Sequence, residues 1–94
     1  MCENFAGSNE IVNLTGEMVT VSYYTIEEML GDGKKYGVKL CSKSKDALID
    51  SVHCYLTESP DHIGFIVDYL MKHVVTPVGL EEVIDLVYDM YDYA

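Results

Sequence analysis

Thr76–Tyr91 reads TPVGLEEVIDLVYDMY, and the architecture of the chain follows from how this stretch is interpreted. Thr76 is a good helix N-cap, and Pro77 suits a first helical turn, where its missing N–H would have no intrahelical partner. The pattern predicts a helix from Pro77 onward. Leu80, Val83, Ile84, Val87 and Tyr91 recur at the three-and-four spacing that gathers side chains on one face, while Glu81, Glu82, Asp85, Asp89 and Asp92 fall elsewhere. One face is therefore buried and the remainder is acidic. Asp89 and Asp92 lie toward the C-terminus of this helix, where its macrodipole disfavours negative charge, so burial of the apolar stripe has to supply the stability.

Just upstream, Ser59-Pro60 repeats the cap-then-proline pattern, and Ile63, Ile66, Val67, Leu70, Met71 and Val74 form a second helical stripe. This first helix is expected from about Pro60 to His73. The residue before a proline is biased away from helical geometry, so Thr76 limits the connection to a few residues and makes the helices neighbours.

Further back the period changes from helical to alternating. Met18–Ile26 places Val19, Val21 and Tyr23 on one side, and β-branched and aromatic residues dominate it. Gly31-Asp32-Gly33 carries an Asp-Gly hairpin signal, after which Tyr36, Val38 and Leu40 alternate with Lys39, Cys41 and Lys43. Ser42–Asp46 is polar enough to be the next turn, and Ala47–Leu56 alternates again. Glu10–Leu14 reads as a short strand leading into Met18 through Thr15-Gly16-Glu17. Met1–Ser8 shows neither alternation nor a cap and is expected to be disordered. The predicted fold is α+β and two-layer: an antiparallel three- to four-stranded β-meander over residues 10–56, followed by two C-terminal helices over residues 60–92, in a single domain.

Composition narrows the function classes. Sixteen acids oppose six lysines, with no arginine, for a formal net charge of −10, and the surrounding field repels phosphate backbones and anionic lipid heads. Neither nucleic acid nor a membrane is an expected partner, and no apolar run approaches the length of a membrane span. Cys2, Cys41 and Cys54 form an odd set without CxxC spacing, and MCENFAGSNE lacks the basic and apolar regions of a signal peptide, so reduced thiols in the cytoplasm are expected.

VTPVGLEEVIDLVYD, together with SYYTIEE and YGVKL upstream, resembles a family of small uncharacterised proteins of Gram-positive anaerobic bacteria with an S/T-P-x-H-L-x-x-V-x-D ending. The resemblance covers roughly Ser22–Asp89. Gly79 stands where that pattern has His, so any role of that His is absent here. The resemblance implies no established activity.

The chemistry-bearing residues do not assemble into a reactive set. His53 and Cys54 are adjacent in a strand and point to opposite faces, which separates them as ligands of one ion and leaves Cys41 and Cys54 to read as small buried hydrophobes. His62 and His73 return to one helix face but lie about 16 Å apart at the helical rise, and each is expected at the surface or its boundary. Glu81, Glu82, Asp85, Asp89 and Asp92 lack the Asp-x-Asp-x-Asp-Gly frame of a calcium loop and read first as a solvated face. No cofactor or metal is expected. One helix with five acids and no base is nevertheless one-sided, and Tyr88, Tyr91 and Tyr93 with Met90 cannot all face inward. The sequence thus points to a non-enzymatic protein-interaction or regulatory module. Its candidate surface is Glu81, Glu82, Asp85, Tyr88, Asp89 and Asp92, facing a protein partner or a second copy of the chain. The alternative is a small-molecule or metal-binding protein with a pocket between sheet and helices. A second apolar sheet face, suggested by Val19, Val21, Tyr23, Ile49 and Tyr55, would permit dimerisation.

Overall fold

The computed structural model describes residues 2–45 and 47–91. Four strands, β1 (Cys2–Val12), β2 (Met18–Leu30), β3 (Gly33–Ser44) and β4 (Ala47–Thr57), form one antiparallel sheet in the order β1-β2-β3-β4. Two helices follow, α1 (Pro60–Lys72) and α2 (Leu80–Met90), giving the expected two-layer α+β architecture.

Alternation sorts the sheet into two faces. Val19, Val21 and Tyr23 of β2 and Val38 and Leu40 of β3 turn toward the helices and are buried with Ile63, Ile66, Val67 and Leu70 of α1 and Leu80 and Val87 of α2. Burying a large aliphatic side chain contributes about 1.5–3 kcal/mol, so this cluster accounts for most of the driving force. The opposite face, with Phe5, Tyr24, Lys39, His53 and Tyr55, carries neither helix. The idea of a second apolar face built partly from Val19, Val21 and Tyr23 is thereby corrected: all three lie under the helices.

Three boundaries differ from the sequence expectation. The segment expected to be disordered, Met1–Ser8, is strand β1 from Cys2 onward, in register with β2 from Cys2↔Glu27 to Val12↔Met18. Its pairing is carried by the main chain, and a bulge between Phe5 and Gly7 breaks the alternation that would have shown it. Two contacts fix the exposed part: Phe5 meets the Tyr24 ring edge-on at 5.5 Å, and Lys39 Nζ donates to Glu3 Oε1 at 2.9 Å. Second, β3 runs on through Ser44, inside the segment expected to turn, because Ser42 and Ser44 are buried and Ser44 Oγ bonds the Met18 carbonyl and Glu17. Third, the β2–β3 turn uses Gly31 and Asp32, and only Gly31 takes a positive φ, 59°, the pattern of a type II′ hairpin with glycine first.

The second helix starts later than its cap motif predicts. Gly79 N–H bonds the Thr76 carbonyl at 3.0 Å and Leu80 N–H the Pro77 carbonyl at 3.4 Å, so Thr76–Gly79 forms a tight turn and α2 begins at Leu80 with Gly79 as its N-cap. By contrast, Ser59 caps α1 as expected, its side chain accepting from His62 N–H at 3.2 Å, with Pro60 in the first turn.

Helix α1 ends in a double hydrogen bond, Val74 N–H to the Met71 carbonyl and Val75 N–H to the Leu70 carbonyl, which is the Schellman arrangement. The position that normally takes glycine is Val74, at φ 53°. A β-branched residue there is strained by roughly 1–2 kcal/mol, partly offset in a glycine variant by the freer unfolded chain. Because Val74 is 40% exposed and little packing would be lost, Val74→Gly is expected to raise stability by about 0.5–1 kcal/mol, read as a higher midpoint in urea unfolding. Nearby, Tyr23 Oη donates to the Val75 carbonyl at 2.8 Å and Asn9 Nδ2 to the Met71 carbonyl at 2.8 Å, so the sheet itself caps the end of this helix. Burial pushes the Tyr23 hydroxyl above its ordinary pKa and keeps it a donor.

Candidate functional site

Helix α2 lies against α1 through Leu80, Val83, Ile84 and Val87 and turns Glu81, Glu82, Asp85 and Asp89 to solvent. Asp92, the last acid of the candidate surface, lies outside the described residues. Glu81 and Glu82 occupy the first turn, where the helix dipole favours negative charge, whereas Asp89 sits in the last turn, where it does not. The ion pairs among the described residues, Lys39–Glu3 and Lys34–Glu27, both lie on the sheet. Within Leu80–Met90 there is no basic residue to offset the four acids.

The surface also holds a residue that periodicity did not single out. Leu86 is 61% exposed and lies on the same side as Glu82, Asp85 and Asp89, since positions 82, 85, 86 and 89 line one helix face. Val78, in the turn that leads into α2, is 77% exposed. The signal was present in the sequence as a leucine off the core stripe, but a lone off-stripe leucine is common on protein surfaces and acquires meaning only from its neighbours.

Tyr88 belongs to the surface only in part. Its ring packs on His62 with centroids 4.5 Å apart, and Tyr91 stacks on the same imidazole, also at 4.5 Å with planes 22° apart. His62, expected at the surface or its boundary, is buried: Nε2–H donates to the Tyr88 carbonyl at 3.0 Å, and Nδ1 is 3.2 Å from Thr57 Oγ1. Because a carbonyl only accepts, Nε2 carries a proton, and Nδ1 shares the second hydrogen bond with the Thr57 hydroxyl. The imidazole thus holds the end of α2 to the start of α1 and to the end of β4. Tyr93 lies outside the described residues.

The remaining candidates stay apart. His53 is exposed on the open face of the sheet, and Cys54, its neighbour, is half-buried under the helices, where burial pushes its thiol pKa up and away from thiolate chemistry. Cys41 also lies on the open face, but its thiol faces Ser51 Oγ at 3.5 Å. Among the described residues no three His, Cys, Asp or Glu side chains gather as metal ligands.

The layer between sheet and helices is packed with side chains that are almost entirely inaccessible, including Tyr23, Leu40, Ile66 and Leu70. Shallow cavities occur elsewhere. One of about 540 Å³ is lined by Cys2, Glu27, Glu28, Met29 and Lys34 at the end of the sheet, and one of about 350 Å³ by Phe65, Tyr69, His73 and Met90 on the flank of the helices. No helix among the described residues is long and apolar enough to cross a membrane.

A family of unknown function, DUF6514, matches residues 3–90, a span that takes in both helices and all four strands but for Cys2. The chain belongs to DUF6514. Among curated proteins and solved structures no match was found. DUF6514 membership therefore reaches as far as β1, the segment that sequence reasoning set aside, and the α2 surface lies inside the family's span.

Proposed function

We propose that the chain is a non-enzymatic protein-interaction or regulatory module that presents α2 to a cationic protein partner. The observation that carries this reading is Leu86, exposed in the midst of Glu82, Asp85 and Asp89 on a helix that carries no base of its own. An apolar centre ringed by charge of one sign is the arrangement of a small interface, in which Leu86 supplies burial and the acids supply orientation and a fast encounter. A second copy of the chain does not suit this face, because it would bring like charges together; a segment rich in lysine or arginine with an apolar side chain to cover Leu86 does. The resemblance of its C-terminal stretch supports an origin in Gram-positive anaerobic bacteria as part of this reading. Its three free thiols suit a reducing cytoplasm, since Cys41 and Cys54 lie on opposite faces of the sheet and have no means of pairing with each other.

The test is affinity capture of a partner, followed by binding of the purified pair. The triple reversal of Glu82→Lys, Asp85→Lys and Asp89→Lys is expected to weaken binding by roughly a hundredfold or more, because each desolvated charge pair couples by about 1.5 kcal/mol or above. Wild-type binding should fall as salt is raised, while Leu86→Ala should weaken binding at every salt concentration. Unchanged affinity in the triple reversal would remove α2 as the docking surface.

A further inference from the structure

The sheet is open and has two edges, β1 and β4. Open edges present unpaired N–H and C=O groups, and monomeric proteins blunt them with charge, proline or bulges. β1 carries Glu3 and Glu10 and is bent by the bulge between Phe5 and Gly7. β4, ALIDSVHCYLT, has a single charged residue, Asp50, among its described side chains, and neither glycine nor proline.

Bulges at its two ends, where the register steps between Ser42 and Lys43 and between Tyr36 and Gly37, confine regular pairing with β3 to Asp50–Tyr55. Within that segment the orientation of the outer backbone groups is fixed. The Ser51 amide bonds Asp50 Oδ1 at 2.9 Å and so is turned away from the β3 ladder, and alternation turns those of His53 and Tyr55 the same way. On the helix side, Val52, Cys54 and Leu56 remain half-exposed although their neighbours Val38 and Leu40 on β3 are fully buried. Leu48 and Ile49 are more than half exposed.

We propose that β4 is a homodimer edge, at which two copies pair antiparallel about a twofold axis at His53 to form one continuous sheet. An antiparallel strand is its own complement under such an axis, and centring on His53 matches Ser51 with Tyr55 of the second copy, so the outward groups of His53 and Tyr55 are paired and the Ser51 amide exchanges Asp50 Oδ1 for the second copy's Tyr55 carbonyl. The same register sets Val52 beside Cys54 of the second copy and extends the half-covered rim of the core. Charge selects the occupant. In a chain of net charge −10 the near-neutral β4 edge is where two copies meet with least repulsion, and the acidic helices are not required to touch. The paired segment stops at Tyr55, short of Leu56 and Thr57, which line a cavity with Tyr88 of α2, and a dimer would display two copies of the α2 face.

The test is molar mass in solution, by light scattering during size-exclusion chromatography, over a dilution series of the full chain. Wild type is expected at twice 10.6 kDa, dissociating on dilution. His53→Pro should be monomeric while keeping its circular dichroism, since the amide it removes faces outward and proline is tolerated on that side of an edge strand. Asn4→Lys on β1 should remain dimeric. Wild type at the monomer mass throughout, or a dimeric His53→Pro, would overturn the proposal, as would dissociation caused by Asn4→Lys alone. Should His53→Pro fail to fold, Ser51→Lys with His53→Lys takes its place. Hydrogen exchange on the wild type reads the same contact: the His53 and Tyr55 amides should be protected when concentrated and exposed when dilute, and exchange independent of concentration refutes the pairing.

Discussion

Gly37→Ala is expected to destabilise the fold by about 3 kcal/mol or more, out of the 5–15 kcal/mol typical of a small domain. Gly37 pairs with Tyr55 beside the register step at Tyr36, and the two strands approach closely there. A Cβ at this position would lie 2.1 Å from the Cys54 carbonyl oxygen and 2.8 Å from both the Cys54 carbonyl carbon and Tyr55 Cα. All three atoms are backbone, so no rotamer change relieves the overlap, and β4 has to move away from β3. Ordinary overpacking costs about 1–3 kcal/mol because side chains give way; here the obstacle is the hydrogen-bonded ladder itself. Thermal unfolding should register a fall in midpoint on the order of 15 °C for a domain of this size. Gly33→Ala serves as the control, because nothing lies closer than the Leu30 carbonyl oxygen at 4.0 Å, and it should remain within about 0.5 kcal/mol of wild type. Equal stability of both variants would mean that β3 and β4 do not approach as closely as described.

That contact illustrates which parts of the fold a sequence displays. β2 and β3 were legible because Val19, Val21 and Tyr23, and Val38 and Leu40, alternate under the helices with a glycine turn between the strands, so side-chain period and burial coincide. β1 was not, because its register rests on backbone pairing, on the Phe5–Tyr24 edge contact and on the Lys39–Glu3 bond, which leave no period in the residues themselves. The Glu3 hydrogen bond also raises the pKa of Lys39, a consequence of a pairing between residues 36 positions apart that no local pattern encodes. The start of α2 was misplaced for a related reason. Thr76-Pro77 is a valid cap motif, but the strained end of α1 at Val74 carries the chain into a tight turn before a helix can begin. At the candidate site, the exposure of Glu81, Glu82, Asp85 and Asp89 follows directly from helical period, whereas the place of Leu86 among them emerges only when the opposite side of α2 is seen to be packed.

His62→Ala is expected to cost about 2–4 kcal/mol and to loosen α2 before the rest of the fold. The imidazole is 7% exposed and joins three elements: it donates to the Tyr88 carbonyl of the last turn of α2, meets Thr57 at the end of β4, and is itself part of α1. Tyr88 and Tyr91 pack against it, and Tyr91 also meets Phe65 edge-on at 5.6 Å, so truncation opens a cavity at the seam between the helices as well as removing two hydrogen bonds. His62→Phe separates these contributions. It keeps an aromatic ring against the tyrosines and removes the polar partners, so its deficit, about 1–3 kcal/mol, reports chiefly the hydrogen bonds. The prediction has a spatial signature that a general loss of stability lacks. Helix α2 packs chiefly on α1, with Leu80 and Val87 its buried residues, so amides of its second half should lose hydrogen-exchange protection in His62→Ala while those of β2 and β3 keep it. A uniform loss across all elements would instead make His62 an ordinary core residue. If α2 is the docking surface, the same variant should bind its partner more weakly although every acid and Leu86 are intact, because part of the binding free energy would then go into ordering the helix.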